Sequence, residues 1–297
     1  MSNPDPITPK TILEHLNRYV VGNDQVKRIL AAAFWENQRL IELDRAGLQR
    51  ESLPPKNCFL FAGPPGIGKT LLARKIAEAT KRPCAYVSAK DFSETGYRGR
   101  DVDEMLLDLL RAADGDVKRA EGGIILWDEA DKLAVQDSEG CRDVSGGGVQ
   151  QALLPYVQGM TVMVKDNNDR IPVRTHDITF VFMGVFERIQ ERLLERMGEG
   201  NLEESAYHIP SEELIYAGLM PEIVGRLTCC VCLQPLGETE LRQILTSSEL
   251  SPVKQLQTFF RVHGLDLVFD EGAIDFLIQL AVAEGTGARA LNKHFRN

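Results

Sequence analysis

The sequence predicts an α/β fold: a mainly parallel sheet flanked by helices, followed by a small all-helical C-terminal domain. Three observations predict it. Short β-rich apolar runs alternate with longer helical patterns up to about residue 236, the alternation of strands joined by crossover helices. A strand, a glycine-rich loop and an amphipathic helix follow one another over 58–79. From Thr239 onward the strands stop and only helical periodicity remains.

The elements follow in order. Thr8 and Pro9 read as an N-cap and first helical residue, and Ile12, Leu16 and Tyr19 then recur on one face. After a break at Val20, Val21 and Gly22, a long helix runs toward Gly47, a C-cap residue. Candidate strands lie at 58–62, 84–88, 123–127, 178–183 and 227–233, with helices between them. The helical segments LRQIL, VKQLQTFFRVHG, EGAIDFLIQLAVAEG and ARALNKHF close the chain. Pro235 and Gly237 punctuate the change of pattern, which divides the chain into a large α/β domain, 1–236, and a small helical domain, 237–297.

Composition narrows the function classes. A net charge of −9 over 297 residues argues against coating nucleic acid or an anionic membrane through the overall field. No run of about 18 apolar residues appears, so no membrane-spanning helix is expected, and the start of the chain lacks a signal-peptide pattern. Cys229, Cys230 and Cys232 lie in an apolar strand-like stretch without the paired spacing of a zinc site and are expected as buried thiols. A reducing cytoplasm is the expected location.

The segment CFLFAGPPGIGKTLLARKIAEA carries the chemistry. Its loop fits G-x-x-x-x-G-K-[ST] in the strand–loop–helix setting the pattern requires. Glycines let backbone N–H groups turn inward on phosphate, and the helix N-terminus adds a favourable dipole. Gly63, Pro64, Pro65, Gly66, Ile67, Gly68, Lys69, Thr70 and Leu71 are therefore the nucleotide-binding candidates. Lys69 would reach the β and γ phosphates, and Thr70 would ligand Mg²⁺. In GGIILWDEADKL an apolar strand ends in two acids. Asp128 is expected to hold Mg²⁺, mostly through water, and Glu129 to act as the general base on the attacking water. The implied cofactors are ATP and Mg²⁺.

These residues, with several further segments in the same order, resemble the ClpX family of AAA+ unfoldases, without a four-cysteine zinc segment ahead of them. LNRYVVGNDQVKRIL resembles the family segment whose apolar residues contact adenine, here Val20 and Val21. SETGYRGRDVDEMLLDLL resembles the pore-loop segment, which implies that Tyr97, between Gly96 and Gly99, grips substrate polypeptide. RDVSGGGVQQALLPYVQG is similar to a stretch characteristic of the family. LMPEIVGRL implies an arginine finger at Arg226, acting on nucleotide bound by a neighbouring subunit, and TGARALNKHF implies a second sensor arginine at Arg289.

The resemblance implies an ATP-hydrolysing homo-hexamer that threads unfolded or tagged protein substrates through a central pore, with a peptidase partner left open. Several positions depart from the family. Arg98 stands where the family carries an apolar residue, the loop 165–176 lacks a compact basic-histidine triplet, and 187–212 holds no Ile-Gly-Phe-like tripeptide. The strand ending at Met183 and Gly184 offers no Asn or Thr as a first sensor. Two other readings stand beside this one: an AAA+ nucleic-acid motor or loader, and a nucleotide-gated binding protein without robust turnover.

Overall fold

A computed structural model describes residues 6–48, 58–92, 101–134, 137–138, 141–142, 144–166, 169–198 and 207–294. Its centre is a five-stranded sheet of β1 (Cys58–Ala62), β2 (Cys84–Ser88), β3 (Ile124–Asp128), β8 (Thr179–Gly184) and β9 (Leu227–Cys232), in the order β2-β3-β8-β1-β9. Every pairing is parallel. The expected α/β fold and its five strands are therefore observed, with ends displaced by a residue at most. All residues of β1 and β8 are buried, because a parallel sheet is covered on both faces and its strands read as continuous apolar runs.

The alternation of side chains across the strands builds two cores. Phe59, Phe61, Ile124, Leu126, Val181 and Met183 face one side. There they meet Ile12 and Leu16 of α1 (Pro9–Tyr19), Leu30 and Phe34 of α2 (Asp24–Arg45), and Leu72 and Ile76 of α3 (Lys69–Ala79). Leu60, Ile125, Trp127, Phe180 and Phe182 face the other side. Their partners include Met105 and Leu109 of α4 (Glu104–Ala112) and Leu153 of α6 (Val144–Gln158). The short α5 (Val117–Glu121) leads into β3.

Thr8 caps α1 as the sequence predicts: its hydroxyl accepts from the Thr11 N–H at 3.1 Å, and Pro9 occupies the first helical turn. Among the described residues, two strand pairs lie outside the main sheet: β4 (Asp137–Ser138) with β5 (Cys141–Arg142), and β6 (Thr161–Asp166) with β7 (Asp169–Arg174). The second pair corrects the reading of 165–176 as a loop. It is a hairpin in which Val162 pairs with Val173 and Val164 with Ile171, burying one face. Polar residues on the other face mask the pattern, and Pro172 is tolerated because both strands are edges.

Between β8 and β9 run α7 (Glu187–Gly198), α8 (Ser211–Tyr216) and α9 (Pro221–Val224). After β9 come α10 (Glu238–Thr246), α11 (Pro252–Val262), α12 (Glu271–Glu284) and α13 (Ala288–His294). Their buried residues Leu241, Leu245, Val253, Ile274, Ile278 and Leu291 form a third core. Leu236 packs against both this core and the one beneath α3. Among the described residues, no helix is long and apolar enough to cross a membrane.

Candidate active site

A parallel sheet gathers the carboxyl ends of its strands along one edge, and crevices outside that edge are where such folds bind ligands. Here β1 delivers the loop 63–68 and the start of α3, while β3, two places away in the sheet, delivers Asp128 and Glu129. The loop turns at Gly63, Gly66 and Gly68, whose φ values of +142°, +77° and +92° are costly for residues with a Cβ. Gly66 is the tightest. A Cβ there would lie 1.9 Å from the Thr286 carbonyl oxygen, and the Gly66 carbonyl accepts the Ala288 N–H at 3.0 Å.

Two cavities meet at Gly68, Leu71 and Ala288. The first, of about 310 Å³, is bordered by the charged or polar side chains of Lys69, Thr70, Asp128, Glu129, Asp131 and Arg289, among others. The second, of about 550 Å³, is bordered by the aromatic or aliphatic side chains of Tyr19, Val20, Val21, Ile67, Leu236 and Ile244, among others. A continuous cleft with a charged end and an apolar end suits a ligand that carries phosphates at one end and a flat ring at the other. The first N–H groups of α3 have no partner within their own helix and border the charged end.

At the charged end, Lys69 donates to the carbonyls of Gly63 and Pro64 at 2.7 and 2.8 Å. Burial pushes its pKa down to about 8, which Asp128 opposes and Arg289 reinforces. The Thr70 hydroxyl donates to Asp128 Oδ2 at 2.9 Å, and the Tyr86 hydroxyl donates to the same oxygen at 2.8 Å. Burial, then the bond to Asp128, pushes the Tyr86 phenol up to about 12, so it remains a donor. A hydroxyl and a carboxylate are hard oxygen donors, and one carboxylate with room for phosphate and water is the set that Mg²⁺ takes at nucleotide sites. The donors present fit that ion.

Glu129 stands at φ 56°, a strained value for a residue with a side chain, where β3 turns into a short 3-10 segment. Ser88 donates to its Oε2 at 2.8 Å, and the Lys90 ammonium pairs with Oε1. The Lys90 contact, opposed by burial and helped by Ser88, holds the Glu129 carboxyl below the usual carboxylate range, so it is ionised and able to accept a proton. Arg289 is exposed at the mouth of the polar cavity. Arg226, after α9, is exposed and lies outside both cavities. Tyr97 and Arg98 fall outside the described residues.

Residues 54–230 match the AAA domain family (Cdc48 subfamily). Along almost its whole length, the chain is similar to proteins named ATP-dependent Clp protease ATP-binding subunit ClpX. The one from Treponema denticola is 35% identical over 96% of this chain and 74% of its own. The Porphyromonas gingivalis protein is 37% identical over 95% and 74%, and that of Borrelia duttonii 35% over 96% and 71%. The chain belongs to the ClpX family of AAA ATPases. Members of this family bind nucleotide and hydrolyse ATP.

Sequence reasoning missed several residues that border this cleft or bond to its acids. Tyr86, Ser88 and Lys90 sit on β2 and the turn after it, with no motif of their own. The alternation in β2, which exposes Tyr86 between buried Ala85 and Val87, was the only signal that could have found them. Asp131 accepts the Val185 N–H at 3.1 Å, which ties the 3-10 segment after β3 to the end of β8. A Cβ at Gly184 would lie 2.6 Å from Asp131 Oδ1, a contact that disfavours Asn or Thr at that strand tip. Leu236, Ile244, Ser248 and Gln255 join the apolar cavity from far along the chain.

Proposed function

We propose that this chain is the ATP-hydrolysing subunit of a ring, a homo-hexamer, that unfolds or remodels proteins by threading polypeptide through a central pore. The observation that carries the reading is the two-ended cleft, in which the phosphate loop, the hydrogen-bonded Thr70–Asp128 pair and Glu129 border one cavity. Family membership supports the coupling to protein unfolding.

In this reading the adenine ring lies against Val20, Val21 and Ile67, and the phosphates lie on the loop 63–68 and the N-terminus of α3. Lys69 exchanges its contacts with the Gly63 and Pro64 carbonyls for the β and γ phosphates. Magnesium, held by Thr70 and by Asp128 through water, supplies charge neutralisation at the phosphates when bound. Glu129 exchanges its Ser88 or Lys90 contact for the attacking water and takes its proton. Arg226 reaches the nucleotide of the next subunit and stabilises charge as the terminal bond breaks.

Arg289 reads the same subunit's phosphate. The bond from the Ala288 N–H to the Gly66 carbonyl passes loop movement to the helical segment. Tyr97 grips the substrate, and the relatives' name makes a Clp peptidase the partner to test.

The test uses a stable fluorescent protein bearing unstructured tags at either end, with ATP and a trap for unfolded protein. Fluorescence is expected to fall with the wild-type chain and to persist with Glu129→Gln, which keeps nucleotide binding while hydrolysis drops about a hundredfold. Unfolding that survives Glu129→Gln removes the assigned base. ATPase activity stimulated by DNA, and not by unfolded protein, replaces the unfoldase with a nucleic-acid motor.

A further inference from the structure

The Asp128 carboxylate is held on one side by an aromatic hydroxyl that no sequence motif requires. Tyr86 lies on β2, which pairs with β3 so that Tyr86 faces Leu126 and Ser88 faces Asp128. Residues two apart on a strand share a face, so Tyr86 and Ser88 both point toward the side on which Asp128 turns up. The Tyr86 hydroxyl reaches Asp128 Oδ2 at 2.8 Å, and Thr70 Oγ1 shares that oxygen at 2.9 Å. Oδ1 accepts the N–H of Glu129 at 2.8 Å. The Arg74 guanidinium lies over the Tyr86 ring at 5.1 Å from its centroid, an attraction that favours this orientation of the ring.

We infer that Tyr86 is a positioning residue for the magnesium site, holding the Asp128 carboxylate in the orientation from which it serves the ion. The inference rests on the nucleotide-hydrolysing reading above. Rotation of a carboxylate about its last torsion is soft, so its orientation is set by the groups that bond it. Thr70 is one such group, but its hydroxyl oxygen also has to serve the cation. Tyr86 borders neither cavity, so its bond to Oδ2 is free to persist through the cycle. Removing such an outer partner costs about 10–100-fold in affinity at metal sites where it has been measured.

The variant is Tyr86→Phe, which keeps the ring and its contact with Arg74 and removes only the donor. Two binding measurements separate positioning from folding. The first is ADP affinity in excess EDTA, expected to match wild type. The second is Mn²⁺ affinity of the ADP complex, read by electron paramagnetic resonance and expected to weaken about tenfold. In turnover, the Mg²⁺ concentration for half-maximal ATPase rises by a similar factor, while the rate at saturating Mg²⁺ recovers most of the wild-type value. Mn²⁺ affinity within about twofold of wild type overturns the proposal, and so does a parallel loss of ADP affinity in EDTA, which marks a merely structural tyrosine. A wild-type chain whose ADP complex binds no Mn²⁺ at all refutes the magnesium reading itself, and is told apart because it appears before any substitution.

Discussion

Arg82 shows how much one buried side chain can organise. Its guanidinium donates to the Gly122 carbonyl at 2.6 Å, the Gly123 carbonyl at 2.9 Å, Asn37 Oδ1 at 2.8 Å and Thr179 Oγ1 at 2.7 Å. Those groups belong to α2, the approach to β3 and the first residue of β8, so one planar fork sets the spacing at the amino ends of the strands. Arg82→Met leaves these acceptors without their donor. It is expected to cost about 3–5 kcal/mol in urea unfolding followed by the fluorescence of buried Trp127. A loss under about 1 kcal/mol would show that water or a neighbour replaces the fork. Nothing in the sequence around Arg82 announces this network, because its partners lie 40 to 97 residues away.

At the scale of the element, β9 explains the cysteine cluster. Cys230 and Cys232 point into the core, Cys229 is half-buried toward the opposite face, and none is disulfide-bonded. Burial pushes the thiols of Cys229, Cys230 and Cys232 up to about 11, 12 and 11, and that of Cys84 on β2 up to about 11. The thiolate is the reactive form, so at about pH 8 the native chain offers a vanishing fraction of it at these positions. Alkylation mapped by peptide mass spectrometry is expected to be slow there, to quicken as pH approaches about 11, and to be complete once urea unfolds the sheet. Prompt modification of β9 in the native chain at about pH 8 would contradict its burial. The strand was legible as a strand because its residues are apolar and flanked by turn signals. The β6–β7 ribbon was not, since only one of its faces is apolar and a proline interrupts the pattern.

At the scale of the whole molecule, the expectation is that active sites are completed between copies. Arg226 is exposed and borders neither cavity of its own chain, and in the proposed ring it serves a neighbour's nucleotide. Arg226→Ala is expected to bind ATP normally and to lose about 10³-fold or more in hydrolysis, the scale of a missing arginine finger. Mixing it with Glu129→Gln supplies a decisive reading. Each variant alone is inactive, but a ring holding both contains junctions with an intact base on one side and an intact arginine on the other. ATPase activity should reappear on mixing, and its failure to do so, in rings shown to be mixed, would remove Arg226 from the mechanism.

The sequence by itself determined the parallel sheet, the phosphate loop and the acids at the end of β3. Each is written in local code: continuous apolar runs, glycines where φ must be positive, and a spacing that puts lysine and threonine at a helix N-terminus. Tertiary structure alone decided what surrounds them. The Ser88 and Lys90 contacts to Glu129, the Tyr86 bond to Asp128 and the Ala288 clasp on Gly66 join residues 39 to 222 positions apart, by subtraction of their numbers. Such pairs leave no periodicity to read. They exist because strand order and register bring side chains to one edge of the sheet, and that order follows from packing of the whole chain.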